Sequence, residues 1–321
     1  MRRIPKAVAI LLLLAAGALA IGASMIAGPT PAGDLTRVIV LDYRLPRGIL
    51  AFLVGASLGV SGVVFQGLFR NSLADPFVVG VSGGAALGAV ASLVVGFGSS
   101  VLALASSTAT AFAGGLGAAF LAYVLARMRG RVSVAGLLLA GSALSSFCGA
   151  IVSIVLLYGN QNWSEIMSWL MGNLGRPDPW DRVLVVGPCL VASVALMATY
   201  ARDLNLLLLG EEQARQLGVD AERAKIILLG AGALAASAAV ATCGMIAFVG
   251  LIVPHVARRL VGPDHRTLLP VTLLAGGALL TLADAAARVV SPQMPLPIGA
   301  VTSLCGAPFF VYILRRRSAK M

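Results

Sequence analysis

Long apolar runs separated by short polar stretches dominate the chain. Runs long enough to cross a bilayer occupy residues 7–26, 48–69, 101–125, 132–158, 183–200, 226–242, 268–290 and 298–314. A transmembrane helix needs about 20 predominantly apolar residues, so the chain has room for eight to ten such helices with their loops. The pattern predicts an all-α polytopic membrane protein of about ten transmembrane helices, with residues 1–321 forming a single transmembrane domain.

Composition strengthens this prediction. Hydrophobic residues make up 59% of the chain and charged residues only 12%, and the mean hydropathy is +0.94. A soluble domain carries roughly one-quarter charged residues. The 37 glycines suit close approach of transmembrane helices. Gly55 and Gly59, and then Gly80, Gly84 and Gly88, recur every four residues and are predicted to form packing faces.

The net charge of +11 is divided unequally between alternate loops. Eighteen of the 24 lysines and arginines fall on one side, in the segments around residues 2–6, 70, 127–131, 202–225, 258–266 and 315–320. Cytoplasmic loops carry the excess of positive charge. Both termini are therefore predicted to be cytoplasmic, with an even number of helices, and nucleic acid is not expected as a partner.

Residues 244–270, GMIAFVGLIVPHVARRLVGPDHRTLLP, differ from the other apolar runs. The apolar part, predicted as a span at about 246–256, is short of a full bilayer crossing and contains Pro254, a residue that breaks or kinks a helix. A basic cluster with Arg258 and Arg259 follows, and the chain becomes apolar again at Leu268. Composition alone does not distinguish two interpretations of this stretch. It could be a short helix with a basic membrane anchor, or it could be a functional element at the membrane edge.

The same stretch resembles a motif of the FecCD/BtuC-type permeases, the membrane subunits of type II ABC importers for iron-siderophore, haem and cobalamin. Four further motifs occur in the order of that family. They are RLPR at 44–47, GVVFQGLFRNSLADPFVVGVSGG at 62–84, LGEEQARQLG at 209–218, and ADAAARVV with LPIGAVTSLCGAP between 283 and 308. Because the motifs span most of the chain, the resemblance is specific.

The resemblance implies three sets of functional residues. Docking of a substrate-binding protein is expected at outer arginines, namely Arg44, Arg47 and Arg288. A cytoplasmic gate is expected at two turns, with Asn71 and Leu73 in one and, by a looser match, Ser133 and Val134 in the other. A coupling helix that contacts an ATPase is expected in the loop at about 202–225, at Glu211, Gln213, Ala214, Leu217 and Gly218.

The implied function is import of a metal chelate by alternating access, with ferric siderophore as the expected cargo and haem or cobalamin as open alternatives. The expected partners are a second copy of the chain, two ATP-binding cassette ATPase subunits, a periplasmic or lipid-anchored substrate-binding protein and membrane lipid. A multi-pass location in a bacterial-type inner membrane follows. Because the sequence lacks G-x-x-x-x-G-K-[ST], ATP and Mg are expected on the ATPase, and this chain is expected to be neither an enzyme nor a cofactor carrier.

An ion-coupled secondary transporter is the alternative, since acids inside the membrane are functional candidates. Asp284 is the one acid in a predicted span, but it precedes Arg288 by four residues, and a local ion pair is the favoured interpretation. His255 and His265 lie beside arginines with no further His or Cys close in sequence. Neither a metal site nor a catalytic site is therefore predicted.

Overall fold

The computed structural model describes residues 5–28, 35–95, 101–128, 131–158, 163–291 and 296–318. The helices are α1 Lys6–Ile26, α2 Leu35–Val38, α3 Leu45–Leu68, α4 Val81–Val95, α5 Val101–Ala126, α6 Val134–Tyr158, α7 Trp163–Leu170, α8 Pro179–Thr199, α9 Ala201–Leu207, α10 Glu211–Gln216, α11 Ala221–Cys243, α12 Val249–Val261, α13 His265–Val290 and α14 Ile298–Ser318. A π-helical turn, Ile39–Arg44, leads into α3, and a 3₁₀ helix, Pro76–Val79, precedes α4.

Ten of these helices form the transmembrane bundle. Within the described ranges, seven helical stretches are long and apolar enough to cross a bilayer, and α4 and α14 are shorter apolar helices. The tenth, α12, has 13 residues and contacts α3, α13 and α14. The prediction of about ten transmembrane helices with both termini on one side is confirmed.

α3 and α11 form the centre of the bundle. In the apolar window of α3, 83% of the residues are buried, against 17% in α6, so α3 lies inside the bundle and α6 lies at its periphery. α3 packs against α1, α8, α11, α12 and α13. Its first helical turn contains Pro46, which is tolerated there because the N–H of an initial residue has no intrahelical partner.

Glycines allow α3 and α13 to cross at backbone contact. A Cβ on Gly55 would overlap the carbonyl oxygen of Gly276, and a Cβ on Gly59 would lie 3.0 Å from the carbonyl oxygen of Thr272. The predicted packing role of both glycines is confirmed. α4 and α5 meet in the same way, because a Cβ on Gly84 would overlap the carbonyl oxygen of Gly114.

We expect Gly55→Leu to destabilise the bundle by about 1–3 kcal/mol or more, because the added side chain would push α3 away from α13. Gly22→Leu in α1 is the matched control, since a Cβ there meets nothing within 4 Å. Thermal unfolding of the purified protein in detergent compares the two variants. Equal melting temperatures would show that the α3–α13 crossing tolerates a side chain.

The short apolar run after residue 244 differs from its prediction. α12 begins at Val249 and continues through Pro254 to Val261, so the helix starts three residues and ends five residues later than the predicted span of about 246–256. Proline lacks the N–H that would donate to the carbonyl oxygen of Gly250, and Gln66 Nε2 of α3 donates to that oxygen instead, at 3.3 Å. A neighbouring helix thus satisfies the carbonyl that proline leaves open.

The cytoplasmic turn between α5 and α6 contains the only β-structure in the described ranges. Strands β1, Arg127–Met128, and β2, Arg131–Val132, pair antiparallel, with Arg127 opposite Val132. α6 then begins at Val134, where Ser133 Oγ accepts a hydrogen bond from the Gly136 N–H at 3.2 Å. This hydrogen bond is an N-cap and fixes the start of the helix.

Candidate functional site

A buried ion cluster joins α3 to α13 at the predicted outer face. Arg47 donates to Asp284 through Nη2 at 2.7 Å to Oδ1 and through Nε at 3.1 Å to Oδ2. Arg288 Nε lies 3.1 Å from Asp284 Oδ2. The predicted pair of Asp284 with Arg288 is confirmed, and Arg47 is an additional partner. The Asp284 side chain is 1% exposed, so its charge is balanced by the two guanidinium groups rather than by water.

Arg44 and Arg288 also form hydrogen bonds with the end of α1. Arg44 Nη1 donates to the carbonyl oxygen of Met25 at 3.1 Å, and Arg288 Nη2 donates to Ser24 Oγ at 2.6 Å. The last carbonyls of a helix have no intrahelical partner, and cations there also interact favourably with the helix dipole. Arg44 and Arg288 are thus buried structural residues as well as candidates for docking.

A cavity of about 210 Å³ opens beside the cluster. Four guanidinium groups line its wall, those of Arg44, Arg47, Arg176 and Arg288. The buried carboxylate of Asp284 offsets part of this charge, and the wall of the cavity is still strongly positive. Such a cavity favours an incoming carboxylate, because a guanidinium binds carboxylates through paired hydrogen bonds.

A second and larger outer cavity, of about 530 Å³, lies between α7 and the start of α14. Its lining combines hydroxyl, amide and thioether groups with the Arg47–Asp284 pair at one end. Ser164, Ser168, Met167, Met171 and Asn173 provide most of these groups. The cavity is weakly polar and can accept a bulky solute without a dedicated charged ligand.

The sequence of the loop between α6 and α8, with Trp163, Trp169 and Trp180, predicts a short surface helix with tryptophan anchors at the membrane interface. The helix is present as α7, and Trp163 and Trp180 are 51% and 43% exposed. Trp169 is different, because its side chain is only 2% exposed. Trp169 therefore belongs to the core and is not an interface anchor.

The predicted gate residues lie in two cytoplasmic turns. Asn71 Oδ1 accepts from the Leu73 N–H at 3.0 Å, so this pair forms an Asx-turn before the 3₁₀ helix. The 3₁₀ helix packs on α6, where a Cβ on Gly141 would overlap the carbonyl oxygen of Val78. Ser133 and Val134 stand at the start of that same α6. Their role in gating remains a prediction.

Asp75, which the sequence predicts only as a turn residue, is a buried carboxyl near the cytoplasmic face. It caps the 3₁₀ helix by accepting from the Phe77 N–H at 2.9 Å. Burial raises the pKa of Asp75 to about 6, although hydrogen bonds from the backbone of Phe77 and Phe248 act in the opposite direction. The short motif Asp-Pro at a turn was a usable signal for this cap.

The predicted coupling loop contains two short helices, α9 and α10. Ala214 faces inward and is fully buried, whereas Leu217 is 55% exposed at the end of α10. Gly218 ends the helix with φ +85°, a conformation in which only glycine is unstrained. A short helix is thus present at the predicted place, with Gly218 just after its end, and it presents an exposed apolar side chain to the cytoplasm.

A hydrogen-bonded network ties α9 to the start of α13. His265 Nδ1 lies 2.6 Å from Asn205 Oδ1, and Asn205 Nδ2 donates to Asp264 Oδ1 at 2.8 Å. The hydrogen bond from Asn205, followed by that from the Arg266 N–H and the charge of Lys6, lowers the pKa of Asp264. Asp264 is therefore ionised at neutral pH and pairs with Lys6 at 3.5 Å. Over the described residues, no group of three potential metal ligands occurs.

Comparisons with known proteins agree with these features. A model of the FecCD transport family matches residues 6–316. The cobalamin import system permease protein BtuC of Halobacterium salinarum is 46% identical over 287 residues, covering 89% of this chain and 76% of its own length. The hemin transport system permease protein HmuU of Yersinia pestis is 42% identical over 290 residues, covering 90% and 86% respectively.

A solved structure has the same fold along almost the whole chain. It shows an inward-facing conformation of a proposed metal-chelate type ABC transporter, with a TM-score of 0.86 and 30% sequence identity. The similarity covers 97% of this chain and 99% of the other. The family resemblance inferred from five motifs is thereby confirmed, and this chain belongs to the FecCD transport family of multi-pass membrane permeases.

Proposed function

We propose that this chain is the membrane subunit of an ATP-driven importer that moves a metal chelate across a bacterial-type inner membrane. The observation that carries the proposal is the match of the whole bundle to permeases of cobalamin, hemin and ferric dicitrate import. The two ends of the bundle fit the same function. A cationic cavity lies at the outer face, and a short helix with an exposed leucine lies at the cytoplasmic face.

The partners follow from these two faces. A substrate-binding protein would dock outside by placing a carboxylate in the cavity lined by Arg44, Arg47 and Arg288. Two ATPase subunits would each receive α10 of one permease copy, with ATP and Mg bound by the ATPase. The permease would act as a homodimer with the substrate path at its axis.

The cargo that we favour is a ferric siderophore, with haem and cobalamin as alternatives. The outer cavity of about 530 Å³ supports a bulky and weakly held solute, because its walls offer hydroxyl, amide and thioether groups. Weak binding suits transport, in which a cargo must leave the permease as well as enter it. Selectivity would then reside in the substrate-binding protein.

The alternative of an ion-coupled transporter finds less support at its one candidate acid. Both carboxylate oxygens of Asp284 contact a guanidinium group, which supports a structural role for this residue. A proton-coupling carboxylate must instead exchange its proton during each cycle. The buried ion cluster therefore favours the ATP-driven function.

Reconstitution tests the proposal. We expect this chain, purified with the ATPase encoded beside it and placed in liposomes, to hydrolyse ATP faster when the cognate substrate-binding protein and its chelate are added. Uptake of the chelate should require ATP and should survive collapse of the proton gradient. Failure to form a complex with any ATPase, or uptake driven by an ion gradient alone, would overturn the proposed function.

A further inference from the structure

A buried ammonium group connects α10, α11 and the turn before α6. The side chain of Lys225, on the first turns of α11, is 8% exposed. Its Nζ lies 2.7 Å from Glu222 Oε1, 3.1 Å from Glu211 Oε2 and 3.1 Å from the carbonyl oxygen of Val132. Lys225 Nζ thus donates hydrogen bonds to Glu211 of α10 and to Val132 of β2, and it forms an ion pair with Glu222 of α11.

Glu222 completes the connection on the opposite side. Its Oε2 accepts from the Val132 N–H at 3.0 Å, so Lys225 and Glu222 together hold both backbone polar groups of Val132. Arg215 of α10 also lies 3.6 Å from Glu222. The four charged side chains balance one another, and both α10 and the end of β2 are attached to the same pair.

The position of Val132 allows this cluster to pass a movement of α10 to the start of α6. Val132 is the last residue of β2, and the next two residues are Ser133, the N-cap of α6, and Val134. Lys225 itself contacts the small space beneath α6 that Val134, Leu137 and Phe69 line. A displacement of α10 therefore reaches the start of α6 through two side chains and one peptide unit.

The other end of the same connector is also fixed. Asn205 of α9 holds Asp264 and His265 at the start of α13. The segment α9–α10 is thus attached at one end to α13 and at the other to α6, with no long unattached stretch between them. A segment held in this way moves its neighbours when it moves, because packed elements shift as units.

We propose that Lys225 is the positioning residue that transmits movement of α10 to the start of α6. The inference rests on the proposed function, because it requires that the ATPase binds α10 and moves it. Lys225 touches neither cargo nor nucleotide, and it acts through Val132. A solely stabilising ion cluster would strengthen the fold without linking ATP hydrolysis to transport.

The test compares Lys225→Met, Lys225→Arg and a control variant in proteoliposomes that contain the ATPase. We expect Lys225→Met to assemble and retain basal ATP hydrolysis, while chelate uptake per ATP falls about tenfold. Lys225→Arg keeps a cation and should recover part of the uptake. Arg223→Met is the matched control, because Arg223 is an exposed cation two residues away on the same helix. It should transport as the unmodified chain does.

A structural readout separates transmission from stability. In a background without the four native cysteines, Ala135→Cys reports the exposure of the first turn of α6 to an impermeant maleimide applied from the cytoplasmic side. We expect its labelling rate to change when an ATP analogue is added, and we expect Lys225→Met to abolish that change. If Lys225→Met fails to assemble, Lys225→Gln provides the same measurements, because its neutral and shorter side chain cannot bond Glu211, Glu222 and Val132 together. Normal coupling in Lys225→Gln would overturn the inference.

The outcomes distinguish this inference from the proposed function. If the unmodified chain shows no stimulation by the substrate-binding protein, the proposed function itself fails. If the unmodified chain transports and Lys225→Met transports with the same uptake per ATP, only the role of Lys225 is overturned. Uptake and basal hydrolysis that fall in parallel would likewise overturn it, because they would indicate a loss of active complex rather than of coupling.

Discussion

Replacing Asp284 with asparagine will destabilise the protein by about 3–5 kcal/mol, the typical cost of removing one partner from a buried ion pair. The Asp284 side chain is 1% exposed and neutralises two guanidinium groups, those of Arg47 and Arg288. Asparagine preserves the size of the side chain but removes its charge. Arg288 and Arg47 would then repel each other in a region where water cannot replace the lost anion.

Thermal unfolding in detergent and the yield of folded protein measure this effect. Asp42→Asn is the matched control, because Asp42 is an exposed acid in the π-helical turn on the same face, and its loss should leave the melting temperature nearly unchanged. We also expect the effects of Asp284→Asn and Arg288→Met to be strongly non-additive, since the second change removes one of the cations that the first leaves unpaired.

The same variant addresses the ion-coupled alternative. If Asp284→Asn folds with the stability of the unmodified chain and its ATPase partner still responds to the substrate-binding protein, the expected structural role is wrong. Loss of uptake under those conditions would assign the carboxylate to the transport step. Loss of uptake together with loss of folded protein would agree with the buried ion cluster.

The contacts of Asp284 show which side-chain pairs can be predicted from one sequence and which cannot. The pair Asp284–Arg288 follows from helical spacing, because residues four apart share one helix face. Arg47 lies 237 positions away from Asp284, and no local rule connects them. Only the close crossing of α3 and α13, set by Gly55 and Gly276, brings these two side chains together.

The ends of the helices also depend on local sequence signals in some places and on long-range contacts in others. The end of α10 at Gly218 was predictable, since a glycine with positive φ is a local signal for the end of a helix. The passage of α12 through Pro254 was not, because Gln66 of another helix satisfies the carbonyl of Gly250. Lys225 was counted only as a cytoplasmic charge, and its contacts with Val132 and Glu211 required the folded chain.

Leu217→Glu should weaken the complex with the ATPase at least about thirtyfold, the loss expected when one apolar anchor at the centre of an interface is removed. Leu217 is 55% exposed at the cytoplasmic end of α10, so the isolated bundle does not depend on it. An exposed leucine on a short polar helix buries apolar area only when a partner covers it. A glutamate would bring a charge into that contact without disturbing Ala214, which attaches α10 to the bundle.

Binding of the purified ATPase to the permease in nanodiscs measures the effect of Leu217→Glu directly. Arg202→Glu is the control for added negative charge, because Arg202 is exposed on α9 at the opposite end of the same connector. The affinity of Arg202→Glu for the ATPase should change less than that of Leu217→Glu. Both variants should have the same melting temperature as the unmodified permease. Unchanged affinity in a well-folded Leu217→Glu would show that the ATPase contacts a different surface, whereas a selective loss would locate its groove at the end of α10. Since Lys225 connects α10 to Val132, two residues before α6, that same contact would be the point at which the ATPase acts on the start of α6.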